Sequence, residues 1–226
     1  MRRIAFSGPL FLLVLPLLSY AVSTSQQEFL DTLHSSPSVD RGAELFDTCA
    51  ACHGSSGIGT VDGAVPRIAG QHFAVLARQL VDYRHDQRWD PRMEHFADQH
   101  HLVNPQAIAD VAEYVSHLDI SSAPGVGTGE LVEHGRSVYV QQCQSCHGSS
   151  GEGDEKKLVP RIAGQHYEYL RRQIYDAVEG RRPNFRLRHV RLFARLERDD
   201  IVGLADYLSR MARRSEPQPV LPGSVR

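Results

Sequence analysis

The chain has 226 residues, a formal net charge of −2 and four cysteines. This length fits one or two domains. The arginines form no nucleic-acid-binding motif with a recognition helix or an aromatic stacking platform. Beyond the N-terminus, no segment is long and apolar enough to span a membrane. Composition therefore argues against a nucleic-acid-binding protein and against a membrane span in the rest of the chain.

The N-terminus has the layout of a secretory signal peptide. Two arginines precede an apolar run over residues 10–18, and small residues follow at about Ala21 and Ser23. This order predicts a signal peptide over residues 1–23. The run is too short for a spanning helix, and an uncleaved membrane anchor is the alternative.

A polar segment over residues 24–37 separates the signal peptide from the first apolar pattern. We expect it to be a loose leader. Ser38 then suits the N-cap of a helix that carries Leu45 and Phe46. That helix leads directly into the first motif that carries chemistry.

The motif Cys-x-x-Cys-His occurs twice and uses all four cysteines. It is the attachment signature of c-type haem, in which two thiols add to the vinyl groups and the histidine binds the iron. Two Cys-x-x-Cys pairs in one zinc site would lie closer together than 94 residues, and a thioredoxin-like motif needs a βαβ pattern. We predict two covalent haem c groups, with zinc or disulfides as the alternatives. The residues are Cys49, Cys52 and His53, and Cys143, Cys146 and His147.

A longer repeat surrounds the two motifs. Each histidine is followed by Gly-Ser-Ser-Gly, and the eight residues 65–72 recur without change at 159–166. The offset is 94 residues, the same as that between the motifs. An identical phrase at a constant offset indicates a duplicated structural unit.

Each unit is predicted to contain two further helices. The first follows the repeated phrase, and the second closes the unit, beginning at Asn104 and Pro105 in the first copy. Apolar residues of the closing helix recur at the i, i+3, i+4, i+7 spacing of a buried helical face. They are Ile108, Val111, Ala112 and Val115 in the first unit, and Ile201, Leu204, Ala205 and Leu208 in the second.

No segment shows the alternation of a strand, so the predicted fold class is all-α. We predict an N-terminal domain over residues 38–120 and a C-terminal domain over 130–214. A linker rich in serine, glycine and proline joins them over 121–129. The last residues, 215–226, are predicted to be a disordered tail.

The two units resemble the cytochrome c4 type, a family of small dihaem cytochromes c. The shared features are the two haem motifs, the phrase Pro-Arg-Ile-Ala-Gly-Gln, and a closing helix with Ala-x-Tyr at 112–114 and 205–207. The resemblance implies a tandem duplication of two class I cytochrome c domains, each wrapped around one covalent haem. It also implies an electron carrier in the periplasm, with no catalytic residue.

The same resemblance implies redox proteins as electron donor and acceptor, a membrane-bound oxidase or dehydrogenase among them. A haem subunit held permanently in such a complex is one alternative, and a dihaem peroxidase-like enzyme is another. Residues 28–119 carry a formal charge of −8 and residues 130–214 carry +4. This asymmetry can steer a charged partner, although two ordinary solvated surfaces explain it equally well.

The resemblance assigns His53 and His147 as proximal iron ligands and expects a methionine before each closing helix as the sixth ligand. The chain has three methionines. Met1 leaves with the signal peptide, and Met211 ends the second closing helix. Only Met93 lies in a ligand loop, where it suits the first haem.

The second loop contains no methionine. An ungapped alignment of the repeats places Met93 opposite Leu187 and His95 opposite His189. His189 is the only histidine of the second loop, so we predict it as the distal ligand of the second haem. The alternative is a solvated histidine beside a five-coordinate iron. His95 is the alternative to Met93.

Four other histidines are weaker ligand candidates. His100 and His101 lie later in the first loop. His72 and His166 end the repeated phrase, where we expect them to cap a helix or to form hydrogen bonds near the haem edge. Methionine is a weaker donor than imidazole, so His/Met ligation raises a haem potential above that of bis-His ligation. We therefore predict electron flow from the C-terminal to the N-terminal haem.

Overall fold

The computed structural model describes residues 24–211. The predicted signal peptide and the predicted tail lie outside the described residues. Within them the chain is helical, as predicted, with a single isolated bridge between Asp154 and Val159. No helix between residues 24 and 211 has the length and apolar character needed to cross a membrane. The helices are α1 (Thr24–His34), α2 (Val39–His53), α3 (Phe73–Arg84), α4 (Pro91–Phe96), α5 (Pro105–Ser116), α6 (Val132–Gln142), α7 (Gln144–His147), a 3₁₀ turn (Glu155–Lys157), α8 (Tyr167–Val178), α9 (Leu187–Phe193) and α10 (Arg198–Arg210).

The loose leader predicted over residues 24–37 is wrong, because most of this segment is helix α1. The ring of Phe29 is 4% exposed and packs into the core of the N-terminal domain. Glu28 forms an ion pair with Arg84, and its carboxylate lies 2.6 Å from His85 Nε2 at the end of the neighbouring helix. The buried Phe29 ring and these contacts of Glu28 hold the helix against the rest of the domain.

The predicted helix starts are confirmed. Ser38 caps α2 by accepting a hydrogen bond from the Arg41 amide, and Asn104 caps α5 by accepting one from the Ala107 amide. These side chains satisfy amide groups that a helix leaves unpaired at its start. The eight apolar residues predicted to line the closing helices are all buried.

In each domain the closing helix crosses the helix before the Cys-x-x-Cys-His motif at very short range. A Cβ atom added at Gly42 would lie 2.1 Å from the carbonyl oxygen of Asp110. A Cβ atom added at Gly135 would lie 1.9 Å from the carbonyl oxygen of Gly203. Glycine is therefore required where α2 meets α5 and where α6 meets α10.

We expect Gly42→Ala to lower the free energy of unfolding by about 1–3 kcal/mol, because α2 and α5 must separate to admit a methyl group. Thermal unfolding of the purified protein measures the loss. Glu44→Ala, on the exposed side of the same helix, is the matched control and should unfold at the wild-type temperature. Equal stability of the two variants would show that the crossing tolerates a side chain.

The two domains meet through the repeated phrase. The Gln71 side chain donates to the Arg161 carbonyl at 2.9 Å and accepts from the Arg161 amide at 2.9 Å. The Gln165 side chain makes the same two bonds to the backbone of Arg67, at 2.7 and 3.0 Å. Each domain therefore clasps the backbone of the other through an equivalent glutamine.

The histidines that end the phrase also reach across the interface. His72 Nε2 lies 2.7 Å from the Glu152 carbonyl, and His166 Nε2 lies 2.6 Å from the Ile58 carbonyl. Both histidines form hydrogen bonds as expected, but across the domain interface, and neither side chain caps the helix that follows it. These bonds and the glutamine clasp fix how the two domains face each other.

Candidate functional site

A cavity of about 970 Å³ extends through both domains and across their interface. Its volume lies at the upper end of the range for small-molecule and cofactor sites. Most of its wall is contributed by α2, α3 and α4 on one side and by the matching segments of the C-terminal domain on the other. Both Cys-x-x-Cys-His motifs line it, through Cys49, Cys52, His53, Cys143, Cys146 and His147.

The two motif histidines are held in the same way. The Nδ1 atom of His53 lies 3.0 Å from the Pro66 carbonyl, and that of His147 lies 3.1 Å from the Pro160 carbonyl. A carbonyl accepts only from a protonated Nδ1, which leaves the lone pair of Nε2 free for a metal. Burial lowers the pKa of both imidazoles and favours the neutral form that binds metals.

No disulfide joins any two of the four cysteines, all of which lie within residues 24–211. Burial raises the pKa of Cys49 to about 11 and that of Cys143 to about 11, whereas Cys52 and Cys146 are exposed. Between residues 24 and 211, the one group of side chains close enough to share a metal ion contains no cysteine. The geometry thus favours neither a disulfide nor a shared zinc site.

Met93 and His95 lie on α4 but occupy different environments. Asp90 caps this helix, and its carboxylate accepts hydrogen bonds from the Arg92 and Met93 amides. Met93 is partly buried and lines the cavity. The His95 side chain is 62% exposed and does not line it.

His189, on α9, lines the cavity opposite the second motif. Its ring centre lies 6.2 Å from that of His147. A metal bound by two imidazole nitrogens at about 2.0 Å each would separate the ring centres by roughly 6 Å. Burial, followed by the charge of His147, lowers the pKa of His189 to about 4. Its buried Nδ1 atom has no hydrogen-bond partner, so this neutral imidazole fits a metal ligand.

The ligand helices begin at different points of the repeat, and the ungapped alignment is wrong here by two residues. Helix α9 starts at Leu187, which is 96 residues after the start of α4 at Pro91. Met93 and His189 are each the third residue of their helix. Leu187, the residue opposite Met93 in the ungapped alignment, is 60% exposed. By position along the helix, Met93 therefore corresponds to His189, whereas His95 corresponds to Arg191.

Two arginines bring positive charge into the cavity wall at the domain interface. Arg88 is 8% exposed and donates to Gln79 and to the Tyr169 hydroxyl. Arg182 donates to Gln173 at 2.6 Å and to Gln79 at 3.2 Å. Neither forms an ion pair with a carboxylate of residues 24–211. Burial and then the charge of Arg88 lower the pKa of Arg182 to about 10.

The buried Asp82 attracts both guanidinium groups, but it already forms an ion pair with Arg78. Buried positive charge in excess of its counter-ions is costly, so the buried Arg88 and the partly buried Arg182 fit a cofactor that carries carboxylates, as haem does. Neither arginine was predicted from the sequence. Arg88 and Arg182 lie 94 residues apart, the offset of the repeat, and that spacing was the available signal.

Comparison with known proteins decides the family. The sequence model of the cytochrome c family matches residues 39–119 and 132–212. The chain belongs to the cytochrome c family. As in other members, its two Cys-x-x-Cys-His motifs bind two covalent haem c groups.

Relatives with two such domains confirm the resemblance to the cytochrome c4 type. Cytochrome c4 of Azotobacter vinelandii is 27% identical over 200 residues, which cover 77% of this chain and 90% of that protein. The crystal structure of reduced recombinant cytochrome c4 from Pseudomonas stutzeri superposes with a TM-score of 0.67 at 26% identity, covering 78% of this chain and all of that one. A thiosulfate dehydrogenase from Marichromatium purpuratum also matches, with a TM-score of 0.67 at 29% identity, over 77% of this chain and 40% of that chain.

Proposed function

We propose that this cytochrome is an exported, periplasmic electron carrier that passes single electrons between respiratory redox partners. When bound, each haem takes up or releases one electron at its iron. The observation that carries the proposal is the cavity shared by both attachment motifs. Since one continuous cavity lined by both domains contains the two sites, an electron can pass between them without leaving the protein.

We propose His53 and Met93 as the axial ligands of the first haem, and His147 and His189 as those of the second. Met93 lines the cavity and His95 does not, which supports Met93 over its alternative. The 6.2 Å separation of the His147 and His189 rings supports the second pair. The weaker thioether donor gives the N-terminal site the higher potential. Electrons then pass from the C-terminal domain to the N-terminal domain.

Two protein ligands at each iron leave no position for a substrate, so we propose a carrier and not an enzyme. The second candidate function is a haem subunit bound to a dehydrogenase or terminal oxidase. The matched region occupies 40% of a thiosulfate dehydrogenase chain, which favours a dehydrogenase as the partner. Affinity purification from the native host distinguishes the two functions, because a stable subunit copurifies with its enzyme and a free carrier elutes alone.

Electron paramagnetic resonance combined with near-infrared magnetic circular dichroism tests the ligands directly. We expect the oxidised protein to show one low-spin His/Met haem and one low-spin bis-His haem. Two bis-His signals would mean that His95, and not Met93, is the distal ligand of the first iron. A high-spin signal would mean an open iron, which contradicts the carrier and favours a peroxidase-like enzyme.

A further inference from the structure

An exposed cluster of ligand-type side chains lies at the end of α4, outside the haem cavity. It consists of His95, Asp98 and His101, whose candidate donor atoms all lie within 4.8 Å of one another. The His95 and His101 rings meet edge to face, with centres 4.6 Å apart. The three side chains are 62%, 33% and 29% exposed, so an ion in solution can reach them.

The spacing of the donor atoms matches a coordinated metal. His101 Nδ1 lies 3.1 Å from Asp98 Oδ1, and His95 Nδ1 lies 3.8 Å from Asp98 Oδ2. Ligands at about 2.0 Å from a tetrahedral ion lie roughly 3.3 Å from one another. The observed distances lie on either side of that value. They reach different oxygens of Asp98, so a bound ion would replace the hydrogen bond between His101 and Asp98, and the side chains would turn toward one point.

The turn that carries the cluster is already ordered. Asp98 Oδ1 accepts hydrogen bonds from the backbone amides of His100 and His101, at 2.8 and 3.2 Å. The Phe96 ring packs edge to face against both imidazoles, with centres 5.1 Å from each. These contacts orient the donors before an ion arrives, which reduces the entropy lost on binding.

The cluster belongs to the N-terminal domain alone. Met93 and His189 are the third residues of α4 and α9. The fifth residue is His95 in α4 but Arg191 in α9. The acidic balance of residues 28–119, a formal −8, also favours a cation there. Duplication of the domain therefore does not explain the cluster.

We propose that His95, Asp98 and His101 form a binding site for a divalent transition-metal ion. Two imidazoles and one carboxylate suit Zn²⁺ and Cu²⁺, of which Cu²⁺ binds more tightly to a given set of such donors. Three protein ligands leave a coordination position for water or for a side chain of a partner protein. The site lies next to the haem cavity, because Phe96 contacts both imidazoles and also lines that cavity.

Isothermal titration of the haem-loaded, full-length protein with Zn²⁺ tests the site. We expect a site whose affinity falls at least about tenfold in His95→Ala and in His101→Ala. His100→Ala removes an exposed neighbour that is not part of the cluster, and it should bind Zn²⁺ like the wild-type protein. The haem absorption spectrum of each variant verifies that it is folded.

Two results would overturn the proposal. The first is the absence of Zn²⁺ binding, or Zn²⁺ binding that is equally strong in His95→Ala and His101→Ala. The second is a changed axial-ligand spectrum in His95→Ala, which would make His95 a haem ligand and refute the Met93 assignment as well. An unchanged haem spectrum together with unchanged Zn²⁺ affinity removes the metal site alone and leaves the proposed carrier intact.

Discussion

Replacing His189 by methionine is expected to raise the midpoint potential of the C-terminal site by on the order of 0.1 V, a fraction of the roughly 0.8 V that axial ligands span. The substitution exchanges an imidazole for a thioether, which stabilises ferric iron less. The C-terminal site would then acquire the ligand pair proposed for the N-terminal site. In a spectroelectrochemical titration, the two midpoint potentials should lie closer together in His189→Met than in the wild-type protein.

Leu187→Met is the matched control for this experiment. The ungapped alignment places residue 187 opposite Met93, but its side chain is 60% exposed and does not line the cavity. A methionine there should leave both potentials unchanged. If Leu187→Met raised the lower potential and His189→Met did not, the pairing of Met93 with His189 would be wrong.

The two-residue shift between the ligand helices could not be read from the sequence. The repeated phrase is identical at 65–72 and 159–166, and the two sequences diverge after it. Asp90 marks the start of α4 through its side-chain cap, whereas Arg186 holds the same place before α9 without such a bond. Without a second cap signal, an ungapped alignment was the simplest assumption. The prediction of His189 did not depend on that alignment, because His189 is the only histidine of the second loop.

Local patterns predicted the elements of the fold better than their contacts. Cap residues and apolar spacing predicted α2 and α5 correctly, because these two signals depend only on neighbours along the chain. Helix α1 was missed, because its stability comes from the burial of Phe29 and from the contacts of Glu28 with Arg84 and His85, which lie far along the chain. The partners of Gln71 and Gln165 were missed for the same reason, since a glutamine has no preferred neighbour until the domains are placed.

Arg88→Leu is expected to lower the free energy of unfolding of the haem-loaded protein by about 3–5 kcal/mol, the usual effect of removing one partner from a buried ion pair. The reason is specific to this cavity. If carboxylates of the bound cofactor pair with Arg88, leucine leaves them buried without a counter-ion. If no cofactor carboxylate pairs with it, leucine removes a buried charge that repels Arg182, and the loss of stability should then be much smaller. Denaturant unfolding followed by haem absorption measures the difference.

Arg191→Leu is the control, because Arg191 is exposed on α9 and surface substitutions usually change stability by less than about 0.5 kcal/mol. The double variant Arg88→Leu, Arg182→Leu adds a second constraint. The two arginines share Gln79 and Gln173 as hydrogen-bond partners, so their effects should not be additive. An Arg88→Leu protein as stable as the wild type would show that Arg88 does not pair with the carboxylates of the cofactor.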